Sequence, residues 1–232
     1  MKKLVLIGGG GHCKSVIDVA KRMNSFDEIV ITDPNLKQGA QILGCTVVGA
    51  DDCLEALYKQ GYEYAFISVG CVKNNSLRDK IAERVSALGF KFPVIQDPSA
   101  IVSDSAFVGD GTFIGKNAVI NSEVKIGIHC IINTGAIIEH ECNVGDYTHI
   151  SVGTVLCGEV TVKDNCMIGA GTTVIQGIII RNNAVIGANS IVLTDVEDNM
   201  KCYGVIKKSI GGGYSLTLIY TPLFRVYSQE VA

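Results

Sequence analysis

The chain has 232 residues, enough to bury a core as one large domain or two modest ones. Hydrophobic residues make up 47% and charged residues 19%, with 26 glycines and no tryptophan, which is a soluble globular profile with many tight turns. A formal net charge of −3, with no basic run and no basic-aromatic interleaving, argues against a nucleic-acid surface and for small-molecule partners.

The start, "MKKLVLIGGGG", pairs a basic end with an apolar run that is too short for a leader and reads as a strand. After Gly8-Gly9-Gly10-Gly11-His12, the residues Val16, Ile17, Val19, Ala20 and Met23 recur at helical spacing. "EIVITD" is a second strand ending at Asp33. A helix near Asp51 to Gln60, a strand "YAFISVG" ending at Gly70 and a helix near Leu77 to Leu88 follow. This alternation predicts a small Rossmann-like parallel sheet over residues 1–97. The glycine turn aims backbone N–H groups and a positive helix end at a phosphate. Cys13 stands where a dinucleotide fingerprint needs its third glycine, which disfavours NAD.

From Ile101 the period changes to six, and the second residue of sixteen consecutive hexads is Val, Ile or Leu. The sixth residue is small in nearly every hexad, with Ile178 the larger exception. Such repeats stack into a parallel β-helix, here expected over residues 98–208. In the left-handed form three hexads, eighteen residues, close one turn, with the aliphatic position inside and the small one near the corner. Cys130, Cys142 and Cys166 fall on the small position and read as core fillers. The chain's nine cysteines, an odd number with no CxxC pair and no zinc-ligand spacing, read as reduced thiols of a cytoplasmic protein. No segment reaches the ~20 apolar residues of a membrane span. Residues 209–232 leave the register, and a strand pair, a cap and a mobile extension all remain open for this tail.

"GGGGH…VIDVA", "VGCVKNNSLRDKI" and above all "IIEHECNVGDYTHIS" together resemble the sugar acetyltransferase family. Its members include the UDP-4-amino-sugar N-acetyltransferase of bacillosamine synthesis, the perosamine N-acetyltransferases and the sialic-acid O-acetyltransferase type. The resemblance implies a homotrimer of left-handed β-helices with acetyl-CoA between subunits and no metal. It implies His140 as general base, Glu141 as the carboxylate that strengthens it, and the Gly158 N–H as oxyanion donor. His149, Ala170 and Ala188 then contact acetyl-CoA. Gly10, Gly11, His12, Asp33, Gly70 and Arg78 hold the nucleotide sugar, with Arg78 suited to a phosphate charge. The expected activity is acetyl transfer to the 4-amino group of a UDP-4-amino-4,6-dideoxy sugar. O-acetylation of sialic acid, N-acetylation of a perosamine nucleotide and a non-catalytic sugar-nucleotide-binding trimer are the alternatives.

Coil arithmetic agrees with these assignments. His140 and Gly158 are eighteen residues apart, as are Ala170 and Ala188, so each pair occupies equivalent places in adjacent coils. Thioester aminolysis needs a base of pKa near 7 and a donor for the tetrahedral oxyanion, which suits this set. His129 matches no family role and is read as a surface residue. The spacings put His129, His140 and His149 on three different faces, against a zinc site. Two departures from the family pattern stand out. Pro34 replaces a second acid after Asp33, and "YGVIKK" lacks the proline of the usual "G-x-P-A-K" ending.

Overall fold

A computed structural model describes residues 1–70, 76–208 and 214–217. The apolar run at the front forms β1 (Lys3–Ile7), and the glycine turn after it leads into α1 (Gly11–Met23). There follow β2 (Glu28–Thr32), β3 (Gln41–Ile42), β4 (Cys45–Gly49), α2 (Leu54–Lys59), β5 (Tyr64–Ile67) and α3 (Ser76–Ala87). The sheet order is β3-β4-β2-β1-β5, parallel except for β3. As an interior strand, β1 is buried on both faces. Leu4 and Leu6 pack with Val16 and Ile17 of α1, and Val5 and Ile7 pack with Leu54 and Val85 on the other side. The β3–β4 hairpin was not anticipated. Its turn places Leu43 and Gly44 at positive φ, the backbone of a two-residue hairpin, after a first strand of only two residues.

The hexads become strands one for one. From β7 (Ile101–Val102) to β22 (Ile191–Val192), each two-residue strand opens a hexad and pairs in parallel with the strand eighteen residues away. The strands stack into three sheets that enclose a triangular prism. The second-position aliphatics from Ile114 to Val192 are all buried and form one continuous core. The sixth positions lie inside too, and the threonines there are satisfied. Thr112, Thr148, Thr154 and Thr172 donate their hydroxyls to the carbonyls of Gly127, Lys163, Gly169 and Gly187. Cys130, Cys142 and Cys166 are fully buried, as fillers should be.

The first strand of the prism lies ahead of the expected boundary at residue 98. β6 (Ile95–Gln96) pairs with the strand Phe113–Ile114, but Gln96 sits in the aliphatic register and so hides the hexad. At the far end come β23 (Lys201–Cys202), β24 (Val205–Lys208) and β25 (Tyr214–Thr217), and the last two are antiparallel. The described part of the tail is therefore one strand, β25, paired with β24 ahead of it; residues 209–213 and 218–232 lie outside the described residues.

The front domain covers one face of the prism. Phe113 and Ile131 point outward from the coils, yet they are buried in a cluster with Leu4, Val16 and Ala20. At the rim of this junction Arg22 reaches the buried carboxylate of Asp97 at 2.8 Å, and Lys116 pairs with Asp18.

Candidate active site

The corners of the prism use the fourth and fifth residues of each hexad, and from Gly111 to Asn189 the fifth takes the left-handed conformation. Glu141 (φ 60°), Tyr147 (φ 56°) and His129 (φ 52°) do so despite their side chains, an uncommon state for non-glycine residues. His140 and Glu141 share the corner that follows Ile137–Ile138. The imidazole Nδ1 lies 3.1 Å from Glu141 Oε2, and both side chains are about half exposed. A proton on Nδ1 donated to that carboxylate leaves the Nε2 lone pair free. One coil on, Gly158 lies under the ring: a Cβ placed there would be 2.6 Å from both Cε1 and Nε2 of His140. Glycine at 158 makes room for the imidazole.

Gly158 also presents its N–H. On the next corner the fourth-position amides of Ile128, Asp146 and Asp164 each donate to the side chain of the following coil, namely Asp146, Asp164 and Asn182. Gln176 takes that place above Gly158, and no acceptor among the described residues receives the Gly158 N–H. An imidazole and an open backbone donor thus lie together, a pairing that tetrahedral chemistry can use.

A second site opens at the glycine turn. A cavity of about 460 Å³ is lined by Gly10, Gly11, His12, Asp33 and Gly70, together with Leu77 and Ile81 of α3. Side chains at Gly10 or Gly11 would meet nothing within 4 Å, so a ligand can approach the uncapped N-terminus of α1. Asp33 lines the cavity, and its carboxylate accepts the N–H groups of Gly9 (2.7 Å) and Asn35 (2.8 Å), which holds the turn in shape.

Arg78 is not on that wall. It is 2% exposed and donates to the carbonyl of His129 at 2.6 Å, so the domain junction claims the side chain that was expected at a phosphate. His129 is 3% exposed, edge-on to Phe92 and stacked on Tyr147, which corrects its reading as a surface residue. The front domain covers this corner, a long-range fact that the hexad period does not contain. His149 lies under the same domain, with Nε2 3.4 Å from Asn133 Nδ2 and Nδ1 buried. Burial, aided by Arg78, pushes His129 and His149 down to about 4; burial, then His149 and Arg78, push His12 to about 3. All three are neutral at pH 7.

Ala170 and Ala188 stack on the corner after Met167–Ile168 and Val185–Ile186. The structure therefore joins His140, Glu141 and Gly158 on one edge, Ala170 and Ala188 on another, and the glycine-turn residues in a separate cavity. No group of three or more His, Cys, Asp or Glu among the described residues could hold a metal, and none of their helices is long and apolar enough to cross a membrane.

Residues 3–85 match the model of the PglD N-terminal domain, and residues 159–194 match the hexapeptide repeat of succinyl-transferase. Among curated proteins, the UDP-N-acetylbacillosamine N-acetyltransferase of Bacillus subtilis (strain 168) is 34% identical over 117 residues. That match covers 49% of this chain and 51% of the relative, about half the length of each. Solved structures align over nearly the whole fold. The acetyltransferase domain of PglB from Neisseria gonorrhoeae FA1090 is 33% identical, with 88% of this chain and 97% of that one covered at a TM-score of 0.81. A second structure of that domain holds acetyl coenzyme A. A histidine-to-alanine variant of GDP-perosamine N-acetyl transferase from Caulobacter crescentus, in complex with CoA and GDP-perosamine, is 30% identical. There 94% and 98% of the two chains are covered at a TM-score of 0.80. The fold is thus a Rossmann-like sheet followed by a left-handed parallel β-helix.

Proposed function

Because the chain belongs to the acetyl-CoA-dependent sugar N-acetyltransferases that join a PglD N-terminal domain to a hexapeptide β-helix, we propose that it acetylates the 4-amino group of a UDP-4-amino-4,6-dideoxy sugar. The observation that carries this reading is the His140 imidazole resting on Gly158 with Glu141 at 3.1 Å. The amine nitrogen attacks the thioester carbonyl, and His140 Nε2 takes its proton while Glu141 accepts from Nδ1. The Gly158 N–H donates to the oxyanion. Collapse breaks the C–S bond, and the proton passes from His140 to the departing sulfur. The products are the acetamido sugar and CoA. The backbone at the open turn and the N-terminus of α1 would hold the nucleotide diphosphate.

A trimer belongs to the same reading. The first positions of the sheet that contains Ile137 form an outward stripe of Ile101, Val119, Ile137, Val155, Thr173 and Ile191, of which Ile101 is 67% and Ile191 41% exposed. The corresponding stripe that starts at Phe107 continues with Lys125, Asn143 and Thr161, a more polar surface. The apolar stripe is the natural contact between copies. A cytoplasmic setting is supported by the eight described cysteines, all unpaired. The relative that holds GDP-perosamine favours a perosamine nucleotide as the second reading of the acceptor.

The test is thiol release from acetyl-CoA against UDP-4-amino sugars, GDP-perosamine and sialic acids. Turnover with an amine acceptor, and a fall of roughly 10² to 10⁴ in His140→Ala, is the expected result. Full activity of that variant as an intact trimer would remove the base from His140, and turnover with hydroxyl acceptors alone would replace the reaction.

A further inference from the structure

Most polar side chains around the cavity at the glycine turn are already spent. The Ser68 hydroxyl donates to the carbonyl of Gly8 at 2.6 Å, and the two carboxylate oxygens of Asp33 accept the N–H groups of Gly9 and Asn35. Pro34 offers the cavity no polar side chain. Asp51, on the same wall, differs from these. Its Oδ1 accepts the Thr32 hydroxyl at 2.8 Å, and its Oδ2 receives no hydrogen bond among the described residues. We infer that Asp51 selects the nucleobase of the nucleotide-linked acceptor by accepting a ring N–H, an inference that rests on the nucleotide-sugar reading above.

Position is the first argument. The sheet order β4-β2-β1 puts Asp51, two residues past the end of β4, two strands away from the strand that feeds α1, about 10 Å at ordinary strand spacing. Ligands of open α/β sheets lie across the carboxyl ends of the strands. A nucleoside whose diphosphate is held at α1, and whose ribose crosses the end of β2, brings its base to Asp51.

The second argument is that the carboxylate is fixed in advance. Thr32 is fully buried and holds one oxygen, while Arg84 of α3 donates to the Asp51 backbone carbonyl at 2.8 Å. Leu77 and Ile81 of α3 line the cavity beside it, and Leu77 is 53% exposed, a large apolar side chain left at the opening. These two residues and Asp51 also line a smaller cavity of about 220 Å³, so the acid and the apolar pair are neighbours on both sides. An apolar wall next to one anchored acceptor suits a flat heterocycle with an N–H on its edge.

The third is chemical. A carboxylate only accepts, and beside a diphosphate it adds repulsion unless it meets a donor elsewhere on the ligand. Uracil and guanine carry an N–H at the ring nitrogen of the pairing edge, N3 and N1; cytosine and adenine carry a lone pair there. A site built to accept a hydrogen bond rejects the analogue that lacks the donor, because its own polar group is then left unpaired. Both acceptor nucleotides considered above, UDP and GDP, belong to the first class.

Calorimetry with UDP against CDP, and with GDP against ADP, reads this selection without any turnover. The wild type is expected to prefer UDP or GDP over its counterpart at least tenfold, the usual worth of a hydrogen bond to a charged group. In Asp51→Ala the preferred nucleotide should bind no better than its counterpart, whose own affinity stays within about twofold of wild type. Asp51→Asn keeps an acceptor for Thr32 and so guards against a folding defect; its NH₂ takes the place of Oδ2 and should abolish or reverse the preference. A preference that survives in either folded variant overturns the assignment, as does a wild type that binds both members of each pair equally. A wild type that binds none of these nucleotides removes the nucleotide-sugar reading and this inference with it. Selection that depends on Asp51 supports the inference whether or not acetyl-CoA is consumed.

Discussion

Gly158→Ala is the sharpest probe of the corner site, because it adds one methyl group and touches little else. Gly158 is outside the left-handed region, so alanine meets no backbone strain there. A gain of 0.4–1 kcal/mol from a stiffer unfolded chain is about what such a change gives. The new Cβ would lie 2.6 Å from His140 Cε1 and Nε2, where ordinary contact begins at 3.4 Å, so the ring must retreat by 3.4 − 2.6 = 0.8 Å. Misplacing a catalytic group by about 1 Å costs on the order of 10² in rate, so kcat should fall roughly 40-fold. The assay is thiol release at saturating acetyl-CoA, with the melting temperature measured alongside. In a His140→Ala background the same change should matter less than about twofold, because the group it displaces is already gone. A kcat within threefold of wild type, or an undiminished loss in the double variant, would refute the reasoning.

Glu141→Gly removes the carboxylate and also relaxes a backbone held at φ 60°. Activity should fall roughly 10- to 100-fold, the worth of a charge-assisted hydrogen bond, while the melting temperature holds or rises; unchanged kcat would deny the pair any catalytic role. Burial pushes the thiols of Cys130 and Cys166 up to about 12 and that of Cys142 to about 11. Peptide mass spectrometry after maleimide treatment at pH 8 should therefore find these three unmodified in the native protein and modified in denaturant. Burial holds His12, His129 and His149 at about 3 to 4 in the folded chain against 6.5 for a free imidazole, so below pH 6.5 the unfolded chain binds more protons. Stability is fully present above that pH and is lost as pH falls toward 4, by up to about 1.4 kcal/mol per pH unit for each histidine. Melting curves from pH 7 to 5 should show the decline, and His129→Phe, which preserves the ring stack, should make it shallower; an equal slope would remove His129 from the effect.

The β-helix was legible because its information is local. Each hexad states its own inward residue, its own corner and its own small filler, and the eighteen-residue coil then assigns neighbours without any long-range knowledge. The reading faltered where a position broke the pattern for a reason of its own. Gln96 occupies an aliphatic place in the first coil, and β3 is a two-residue edge strand too short for periodicity to register. What the period cannot report is which face another domain will cover. His129, His149 and Arg78 look exposed in hexad or helix register, yet His129 and Arg78 are enclosed and His149 is partly covered where the front domain packs over Phe113 and Ile131. The glycine turn, by contrast, was readable from its run of four glycines, of which Gly8 and Gly9 leave no room for a Cβ while Gly10 and Gly11 face open space.

The edges of the prism carry a last consequence. His140 and Gly158 occupy one edge, whereas Ala170 and Ala188 stack on another, so a base and a coenzyme line assigned to one reaction face apart within a single chain. In the trimer proposed above, a neighbouring copy brings one chain's His140 to another chain's alanine edge, so each site would be shared by two subunits. Two inactive variants should then rescue each other. His140→Ala lacks the base but keeps the edge, and Ala188→Trp blocks the edge but keeps the base. After equal parts are unfolded together and reassembled, an interface is intact when its base comes from one variant and its edge from the other. In a closed ring with random mixing this is about one interface in four, so about a quarter of wild-type activity should return. Mixtures that stay as inactive as their components would place the whole site within one chain and take the edge assignment of Ala188 with it.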